Sequence, residues 1–190
     1  MHSIKFLKEY YPDSPDAKVS VGDYSYSASG NLMIPPAFDF LKIGKFCSIA
    51  AAFEIVGSGH RTDFITTFPF DTIVENSDNI NYLKIYKGIT IENDVYIGTR
   101  CKIHGGVIIR NGAVIAAESV IHPRTEIEPY SVYGGNPAKF VRYRFPIEDR
   151  EFLLELKWWD FPIEKIKMII PVLASSNIEK LKTMKRNNLI

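Results

Sequence analysis

His60 is the residue whose type and setting most favour chemistry. It stands in the segment GSGHRTD and is followed closely by the stretch TFPF. An imidazole has an ordinary pKa of about 6.5, so it can accept a proton at neutral pH and return one afterwards. On residue type alone His60 is therefore a candidate general base. The alternative is a surface-loop histidine with no catalytic task.

His104 and His122 form a second candidate group, because they lie 18 residues apart and each follows an isoleucine of the repeat described below. If that repeat stacks them on one outer face of adjacent coils, about 4.8 Å apart, two imidazoles could share a metal ion. A site would need a third ligand, from His60 or from a carboxylate of another coil or subunit. The alternative, which we favour, is a pair of exposed or cleft-lining histidines with no metal.

Neither cysteine is predicted to act as a nucleophile. Cys47 and Cys101 lack the spacing of a paired-thiol motif, and each comes four residues after an isoleucine of the repeat. These positions belong to the inward-facing set, and a thiol buried among apolar groups has a raised pKa and is inert.

A short basic segment near residue 139 could bind an anion. The stretch YGGNPAKFVRYR combines Gly134 and Gly135 with Lys139, Arg142 and Arg144. Free backbone amides and cationic side chains are the groups that bind phosphate through charge-assisted hydrogen bonds. The alternative is a solvated basic turn.

Isoleucine recurs every six residues through the middle of the chain, and this repeat must position the side chains above. The series comprises Ile85, Ile91, Ile97, Ile103, Ile109, Ile115, Ile121 and Ile127. Four residues after each lies a small or apolar position: Ile89, Val95, Cys101, Val107, Ala113, Ser119, Thr125 and Ser131. A helix would spread this period around its axis, and a single strand of such length is excluded by the glycines and Pro123. The pattern therefore predicts a parallel β-helix that turns a corner after every hexad.

The same register occurs upstream and is then interrupted. Ile43, Ile49 and Ile55 keep the spacing, and VGDYSY, beginning at Val21, is interpreted as a degenerate first unit. The pattern lapses at about residues 57–84, and an excursion of that length from a regular coil is usually functional. The stretch TTFPFDTIVENSDNINYLKIY, which ends just after the excursion, contains aromatic residues that would suit the flat faces of a small acceptor: Phe68, Phe70, Tyr82 and Tyr86.

A different period begins after about residue 145. We expect residues 1–145 to form the β-helix domain and residues 146–190 to form a C-terminal helical extension that caps it. Two short helices broken at Pro162 are predicted, with a third opened by a capping box at Ser176. Trp158 and Trp159 are interpreted as core residues of this cap and not as a stacking platform.

Composition limits the classes of function. Of the 190 residues 46% are hydrophobic, enough for a sizeable core, and the net charge of +1 gives no general attraction to nucleic acid or membranes. No apolar run has the length of a signal peptide or a membrane span. Two cysteines without the spacing of a paired-thiol motif fit a reducing cytoplasm better than a disulfide scaffold.

Several motifs together resemble the hexapeptide-repeat xenobiotic acetyltransferases, which include the streptogramin and chloramphenicol acetyltransferases. These motifs are IGKFCSIA, GHRTDFITTFPF, ITIENDVYIG, YGGNPAKFVRYRF and LLELKWWDFPIEKI. The resemblance runs from about residue 19 to about residue 170. It implies a mainly β fold, a left-handed parallel β-helix with a C-terminal α-helical cap. It also implies a homotrimer with the active site at the subunit interface and acetyl-CoA as the co-substrate.

The resemblance also implies roles for particular residues. His60 matches the family's catalytic histidine and would act as the general base, with Asp63 or a backbone carbonyl orienting its ring. Lys139 and Arg142 would bind the phosphates of acetyl-CoA, while Ala116 and Ala117 would border its pantetheine arm. Many relatives carry Thr-Lys-Asp where this chain has His122, Pro123 and Arg124, and Arg124 would replace that lysine. KIHGGV, which contains His104, lies where relatives line the pantetheine path.

The acceptor is left open by the sequence. The excursion looks shorter than in streptogramin-acetylating relatives, and Asn79-Ile80-Asn81-Tyr82 replaces their Asn-Gly-Tyr, which argues against a large macrocycle. We expect an acetyl-CoA-dependent O-acetyltransferase acting by direct transfer on a small hydroxylated acceptor, either an antibiotic-like xenobiotic or a sugar. The alternatives are a metal-dependent hydratase like the gamma carbonic anhydrases and a β-helix protein without activity.

Overall fold

The computed structural model describes residues 6–12, 18–29, 32, 38–70, 73, 81 and 83–190. Contacts divide the chain into two compact units, Met1–Arg142 and Tyr143–Ile190. Short strands build the first unit and helices build the second, and each is described separately. The strands are β1 (Val19–Val21), β2 (Tyr26–Ser27), β3 (Leu41–Ile43), β4 (Ser48–Ile49), β5 (Glu54–Val56), β6 (Ser58–His60), β7 (Leu83–Ile85), β8 (Ile89–Ile91), β9 (Tyr96–Ile97), β10 (Lys102–His104), β11 (Ile108–Ile109), β12 (Val114–Ile115), β13 (Val120–Ile121), β14 (Glu126–Ile127), β15 (Ser131–Gly135) and β16 (Ala138–Tyr143).

Three sheets form the faces of a coil. The first face contains β1, β3, β8, β11 and β14; the second contains β2, β4, β9, β12, β15 and β16; the third contains β5, β10 and β13. Strands from successive turns pair in parallel, for example β8 with β11 and β11 with β14. Because the coil strands from β3 to β15 visit the first, second and third faces in turn and then repeat, the first unit is a parallel β-helix, as the six-residue period predicts.

The isoleucine series forms the core of this coil. Ile91, Ile109 and Ile127 lie in register on the first face, where each is at most 1% exposed. Ile97 pairs with Ile115 on the second face in the same way. Most of the predicted second set is also inside, since Val95, Cys101, Val107, Ala113, Ser119 and Ser131 are at most 1% exposed, whereas Thr125 is half-buried. The inward orientation is therefore confirmed for the buried members of both sets.

The corners of the coil recur with the same period. The described corners each contain a residue with a positive φ: Tyr24, Phe46, Ala52, Asp94, Arg100, Gly106, Gly112, Glu118, Arg124 and Tyr130. This left-handed conformation is costly for a residue with a Cβ atom, yet only two of these ten residues are glycines. Packing of the isoleucine core on both sides of each corner must therefore hold these residues in place.

Ile85 corrects the predicted register. In the sequence it continues the six-residue spacing, but in the structure it belongs to β7, which pairs antiparallel with β6 outside the coil. Its side chain is 55% exposed, whereas Ile91 is 1% exposed. The chain leaves the coil after β5 and re-enters it only at β8, so the spacing between Ile85 and Ile91 carries no structural meaning.

The second unit contains three helices, α1 (Ile147–Leu156), α2 (Ile163–Leu173) and α3 (Ile178–Arg186), with a 3-10 turn at Trp158–Asp160. The predicted break at Pro162 is confirmed, because this proline caps the start of α2. The predicted cap at Ser176 is wrong by one residue: the side chain of Asn177 accepts a hydrogen bond from the backbone of Lys180. Trp159 is buried, as expected of a core residue, whereas Trp158 is half-buried. No helix within the described ranges is long and apolar enough to cross a bilayer.

Candidate active site

His60 is the last residue of β6, and a backbone carbonyl fixes its ring. Its Nδ1 atom lies 2.8 Å from the carbonyl oxygen of Thr67. A carbonyl can only accept a hydrogen bond, so Nδ1 carries the proton when the imidazole is neutral, and Nε2 presents its lone pair. The side chain is exposed in the single chain. This arrangement leaves Nε2 accessible to a reacting group.

Asp63 does not orient the His60 ring. The Nε atom of Arg61 donates to Asp63 Oδ1 at 2.7 Å, and a second contact joins the guanidinium to Oδ2. The hydrogen bond from Arg61 lowers the pKa of Asp63 to about 2. Arg61 also lies over the ring of Phe64, at 4.6 Å from its centroid. Of the two orienting groups that the sequence left open, the structure places the Thr67 carbonyl at His60 and commits Asp63 to Arg61.

Backbone contacts at the return of the excursion anchor the hairpin that carries His60. Within this hairpin Gly59 is paired with Lys84. The N–H of Tyr86 donates to the carbonyl of Gly57 at 2.9 Å, and the N–H of Gly106 donates to the carbonyl of Lys87 at 2.7 Å. The hairpin is therefore tied to the corner that follows β10, and His60 is held against the coil although it lies outside it.

His104 and His122 lie on one face of adjacent turns, as the 18-residue spacing predicts. Their ring centroids are 6.0 Å apart, and Tyr86 packs edge-on against His104 at 5.7 Å. Burial, with a smaller contribution from His122, lowers the pKa of His104. Among the residues that the structure describes, no three His, Cys, Asp or Glu side chains are grouped to hold a metal ion.

Both cysteines are buried and unpaired, in agreement with their predicted inward positions. Burial raises the pKa of Cys47 to about 12 and also raises the pKa of Cys101. The Sγ atom of Cys101 lies 3.0 Å from the carbonyl oxygen of Ala116. Neither thiol is placed to attack a substrate.

Ala116 and Ala117 lie at the corner that follows β12, next to β15. The N–H of Ala116 donates to the carbonyl of Tyr133 at 2.9 Å. A Cβ atom on Gly98 would lie 2.5 Å from the backbone nitrogen of Ala117, so a side chain at position 98 would displace this corner.

The remaining predicted binding residues fall on two sides of the third face. Lys139 and Arg142 are exposed on β16, the neighbour of β15, so they lie on the same side as Ala116. Arg124 is exposed at the corner after β13, two residues beyond His122. Ala116 and Ala117 therefore lie beside β15 and β16, on the same side as Lys139 and Arg142. Arg124 lies on the other side, close in sequence to His122.

The excursion presents aromatic side chains. Phe68 and Phe70 pack edge to face with centroids 5.2 Å apart, and both are more than 40% exposed. Asn79, Ile80 and Tyr82 lie outside the described residues, and Tyr86 is half-buried against His104. Two features escaped sequence reasoning: the Thr67 carbonyl, which is a backbone group, and the packing of Tyr86 against Gly59. The packing of Tyr86 could have been suspected from the Gly105-Gly106 pair, because glycine often allows another group to approach the backbone closely.

Comparisons with known proteins agree with this architecture. A family model described as bacterial transferase hexapeptide (six repeats) matches residues 88–123. A chloramphenicol acetyltransferase of Agrobacterium fabrum is 39% identical over 83% of this chain and 78% of its own. A virginiamycin A acetyltransferase of Staphylococcus aureus is 34% identical over 97% and 88%. The crystal structure of a hexapeptide-repeat acetyltransferase from Vibrio cholerae, 24% identical, superimposes with a TM-score of 0.51 over 68% of this chain and 64% of that one.

The fold and these similarities define a hexapeptide-repeat acyltransferase with the left-handed parallel β-helix of that class. The chain belongs to the hexapeptide-repeat xenobiotic acetyltransferase family. The prediction of an enzyme that uses acetyl-CoA as its co-substrate is thereby confirmed.

Proposed function

We propose that this enzyme transfers the acetyl group of acetyl-CoA to a hydroxyl of a small acceptor, with His60 as the general base. One observation carries the assignment: the Thr67 carbonyl holds Nδ1 of His60 and leaves Nε2 free to accept a proton. The acceptor hydroxyl attacks the thioester carbonyl while its proton passes to Nε2. The carbon–sulfur bond then breaks, and the imidazolium returns the proton to the leaving thiolate.

Transfer is direct, without an acetylated enzyme. A covalent route would need a nucleophile within reach of the thioester. Cys47 and Cys101 are both buried, and burial raises the pKa of each thiol, which keeps them protonated. The acceptor and acetyl-CoA therefore bind together.

The donor is held by the residues on both sides of the third face. Lys139 and Arg142 bind the phosphates, because exposed cations make charge-assisted hydrogen bonds to anionic oxygens. Ala116 and Ala117 let the pantetheine arm lie against the coil, and Arg124 contributes a further cation near the histidines.

A homotrimer brings these two sides together across subunit interfaces. In one chain the binding residues fall into two separate sets, and the excursion exposes large apolar side chains. Ile65, Phe68 and Leu83 are all at least 40% exposed, as side chains at a subunit interface would be in an isolated chain. Light scattering during size-exclusion chromatography tests this assembly, and a monomer would contradict it. The unpaired cysteines fit the cytoplasm as the location.

The acceptor is an antibiotic-like molecule with a free hydroxyl. The relatives described above are a chloramphenicol acetyltransferase and a virginiamycin A acetyltransferase, which supports this class over a sugar. Exposed Phe68 and Phe70, next to the loop that carries Thr67, offer flat apolar surfaces for such a molecule. A panel that includes chloramphenicol, a streptogramin and simple sugars would separate the two classes.

The decisive experiment follows release of the CoA thiol with this panel in wild type and in His60→Ala. A general base typically contributes about 10²–10⁴-fold, so kcat should fall by that factor while the fold is retained. Thr62→Ala, an exposed position in the same turn, is the matched control and should behave as wild type. Unchanged turnover in His60→Ala would remove this residue from the mechanism.

A further inference from the structure

Tyr86 is packed between two glycines, one on the catalytic hairpin and one on the coil. Its hydroxyl oxygen lies 3.2 Å from the position that a Cβ atom on Gly59 would occupy. On the other side, a Cβ atom on Gly105 would lie 2.5 Å from Cβ of Tyr86 and 2.2 Å from the carbonyl oxygen of Lys87. The edge-on contact with His104, at 5.7 Å between centroids, fixes the ring further.

Gly59 is needed for space and not for backbone freedom. Its φ lies outside the left-handed region, so the backbone at this position would accept alanine. Of the atoms that an added Cβ would meet, the hydroxyl oxygen of Tyr86 is the nearest, and the ring carbons Cε2 and Cζ lie at 3.9 Å, an ordinary contact distance. The tyrosine hydroxyl is therefore the group that limits the side chain at position 59.

We propose that Tyr86 is a positioning residue for His60, an inference that rests on the proposed function. Gly59 directly precedes His60 in β6, so the ring that packs on Gly59 sets the path of the strand that carries the imidazole. Backbone hydrogen bonding complements this packing, since the N–H of Tyr86 donates to Gly57 at 2.9 Å. Tyr86 thus transmits the fixed geometry of the coil, through His104 and Gly105, to the hairpin.

The packing of Tyr86 on Gly59 maintains the hydrogen bond between Nδ1 of His60 and the carbonyl oxygen of Thr67. Thr67 lies seven residues beyond His60 in the excursion. A displacement of β6 by a few tenths of an ångström lengthens this hydrogen bond and releases the ring to its other tautomer. Because a misplacement of 1 Å can cost about 10²-fold in rate, a shift of this smaller size should cost about 10-fold in kcat.

A double-variant cycle at positions 59 and 86 tests the inference. In Gly59→Ala the added methyl group meets the tyrosine hydroxyl, and kcat should fall about 10-fold with little change in the KM for acetyl-CoA. Tyr86→Phe keeps the ring and removes the hydroxyl, so it should stay within about 3-fold of wild type. The double variant should recover most of the activity that Gly59→Ala loses, because the limiting atom is gone.

A readout without substrate separates this inference from the proposed function. Nitrogen-15 NMR of the neutral His60 ring should show the Nδ1–H tautomer in wild type, Tyr86→Phe and the double variant, and a mixture in Gly59→Ala. Tyr86→Ala should also show a mixture, with the fold checked by circular dichroism. An unchanged tautomer in Gly59→Ala and Tyr86→Ala, or no recovery in the double variant, would overturn the inference. Full turnover in His60→Ala would overturn the proposed function even if every tautomer result came out as expected.

Discussion

The Nδ1 atom of His60 lies 2.8 Å from the carbonyl oxygen of Thr67, and this contact assigns a single direction to the imidazole. A main-chain carbonyl cannot ionise, so its pull on Nδ1–H is the same at every pH at which the protein is folded. Histidine bases are often oriented by a carboxylate, which would add a negative charge and a second titrating group. Here the nearby carboxylate of Asp63 is held by Arg61 instead.

Substitution of Asp63 tests whether the Thr67 carbonyl orients His60 without help from this carboxylate. We expect Asp63→Asn to keep kcat within about 3-fold of wild type, because an exposed ion pair contributes little and the Thr67 carbonyl still holds the ring. The pKa of Asp63 is lowered from 3.8 to about 2, so its pairing with Arg61 is fully present above pH 3.8 and is lost as the pH falls through about 2. Asp63 therefore does not titrate between about pH 5 and 9.

The measurement is a profile of kcat against pH over that range, for wild type and Asp63→Asn. Superimposable profiles are expected. A loss of 100-fold or more, or an inflection that disappears in the variant, would assign an orienting role to the carboxylate.

Lys139 should act on the donor and not on the chemical step. A charge-assisted contact to phosphate is worth about 1.5–3 kcal/mol, and partial solvation at an exposed site reduces it, so Lys139→Ala should raise the KM for acetyl-CoA about 10-fold with kcat unchanged. Acetyl-pantetheine lacks the phosphates of the nucleotide, and with this donor wild type and variant should have equal KM values. Lys167→Ala, a lysine on α2 paired with Glu164, is the matched control. A defect that persists with acetyl-pantetheine would refute the assignment.

The core register predicts a contrast between two isoleucines of the same sequence series. Ile109 is fully buried between Ile91 and Ile127, so Ile109→Ala should lower the free energy of unfolding by about 2–5 kcal/mol. Ile85 is 55% exposed on β7, and Ile85→Ala should change it by less than about 0.5 kcal/mol. Denaturant melts at one fixed protein concentration measure both. Equal losses would place Ile85 in a core that the structure does not give it.

The sequence predicted the coil well because its signal is local and repeated. Each hexad supplies one inward isoleucine and one inward small residue, so the pattern carries the register by itself. Ile85 shows the limit: it keeps the spacing by coincidence, and its antiparallel pairing with β6 joins segments far apart in sequence without a local pattern. The positions of the corners could not be predicted either. A positive φ is usually signalled by glycine, but several corners use other residues: Asp94, Arg100 and Glu118.

The candidate site was predictable only in its residue types. His60 could be proposed as the base from its chemistry and the surrounding motif, but its ring contacts Thr67 through a backbone carbonyl, which is common to every residue type. Whether Asp63 would face His60 or Arg61 depended on the path of the excursion. The separation of Arg124 from Ala116 and Ala117 likewise depended on which corner each occupies. Such features come from tertiary packing and have no sequence signature.

Gly106 and Gly112 occupy the same position in successive hexads, so variants at these two corners can measure how much steric crowding lowers the free energy of unfolding. Gly106 and Gly112 both have positive φ, of 80° and 69°. A Cβ atom on Gly106 would meet Arg124 no closer than 3.5 Å, whereas one on Gly112 would lie 2.3 Å from the buried ring of Tyr130. Gly106→Ala should therefore cost only the left-handed penalty, about 1–2 kcal/mol. Gly112→Ala should cost a further 1–3 kcal/mol or so, because a rigid ring in a packed core cannot move aside.

Calorimetric melts of the two variants at equal protein concentration measure this difference, and Gly106→Ala is the control for the backbone term. A larger fall in melting temperature for Gly112→Ala is expected, because the added methyl group must displace Tyr130 from a position in which it is 1% exposed. Equal falls would mean that the corner relaxes around the ring. In that case the left-handed conformation alone, and not the packing of Tyr130, would require glycine at position 112.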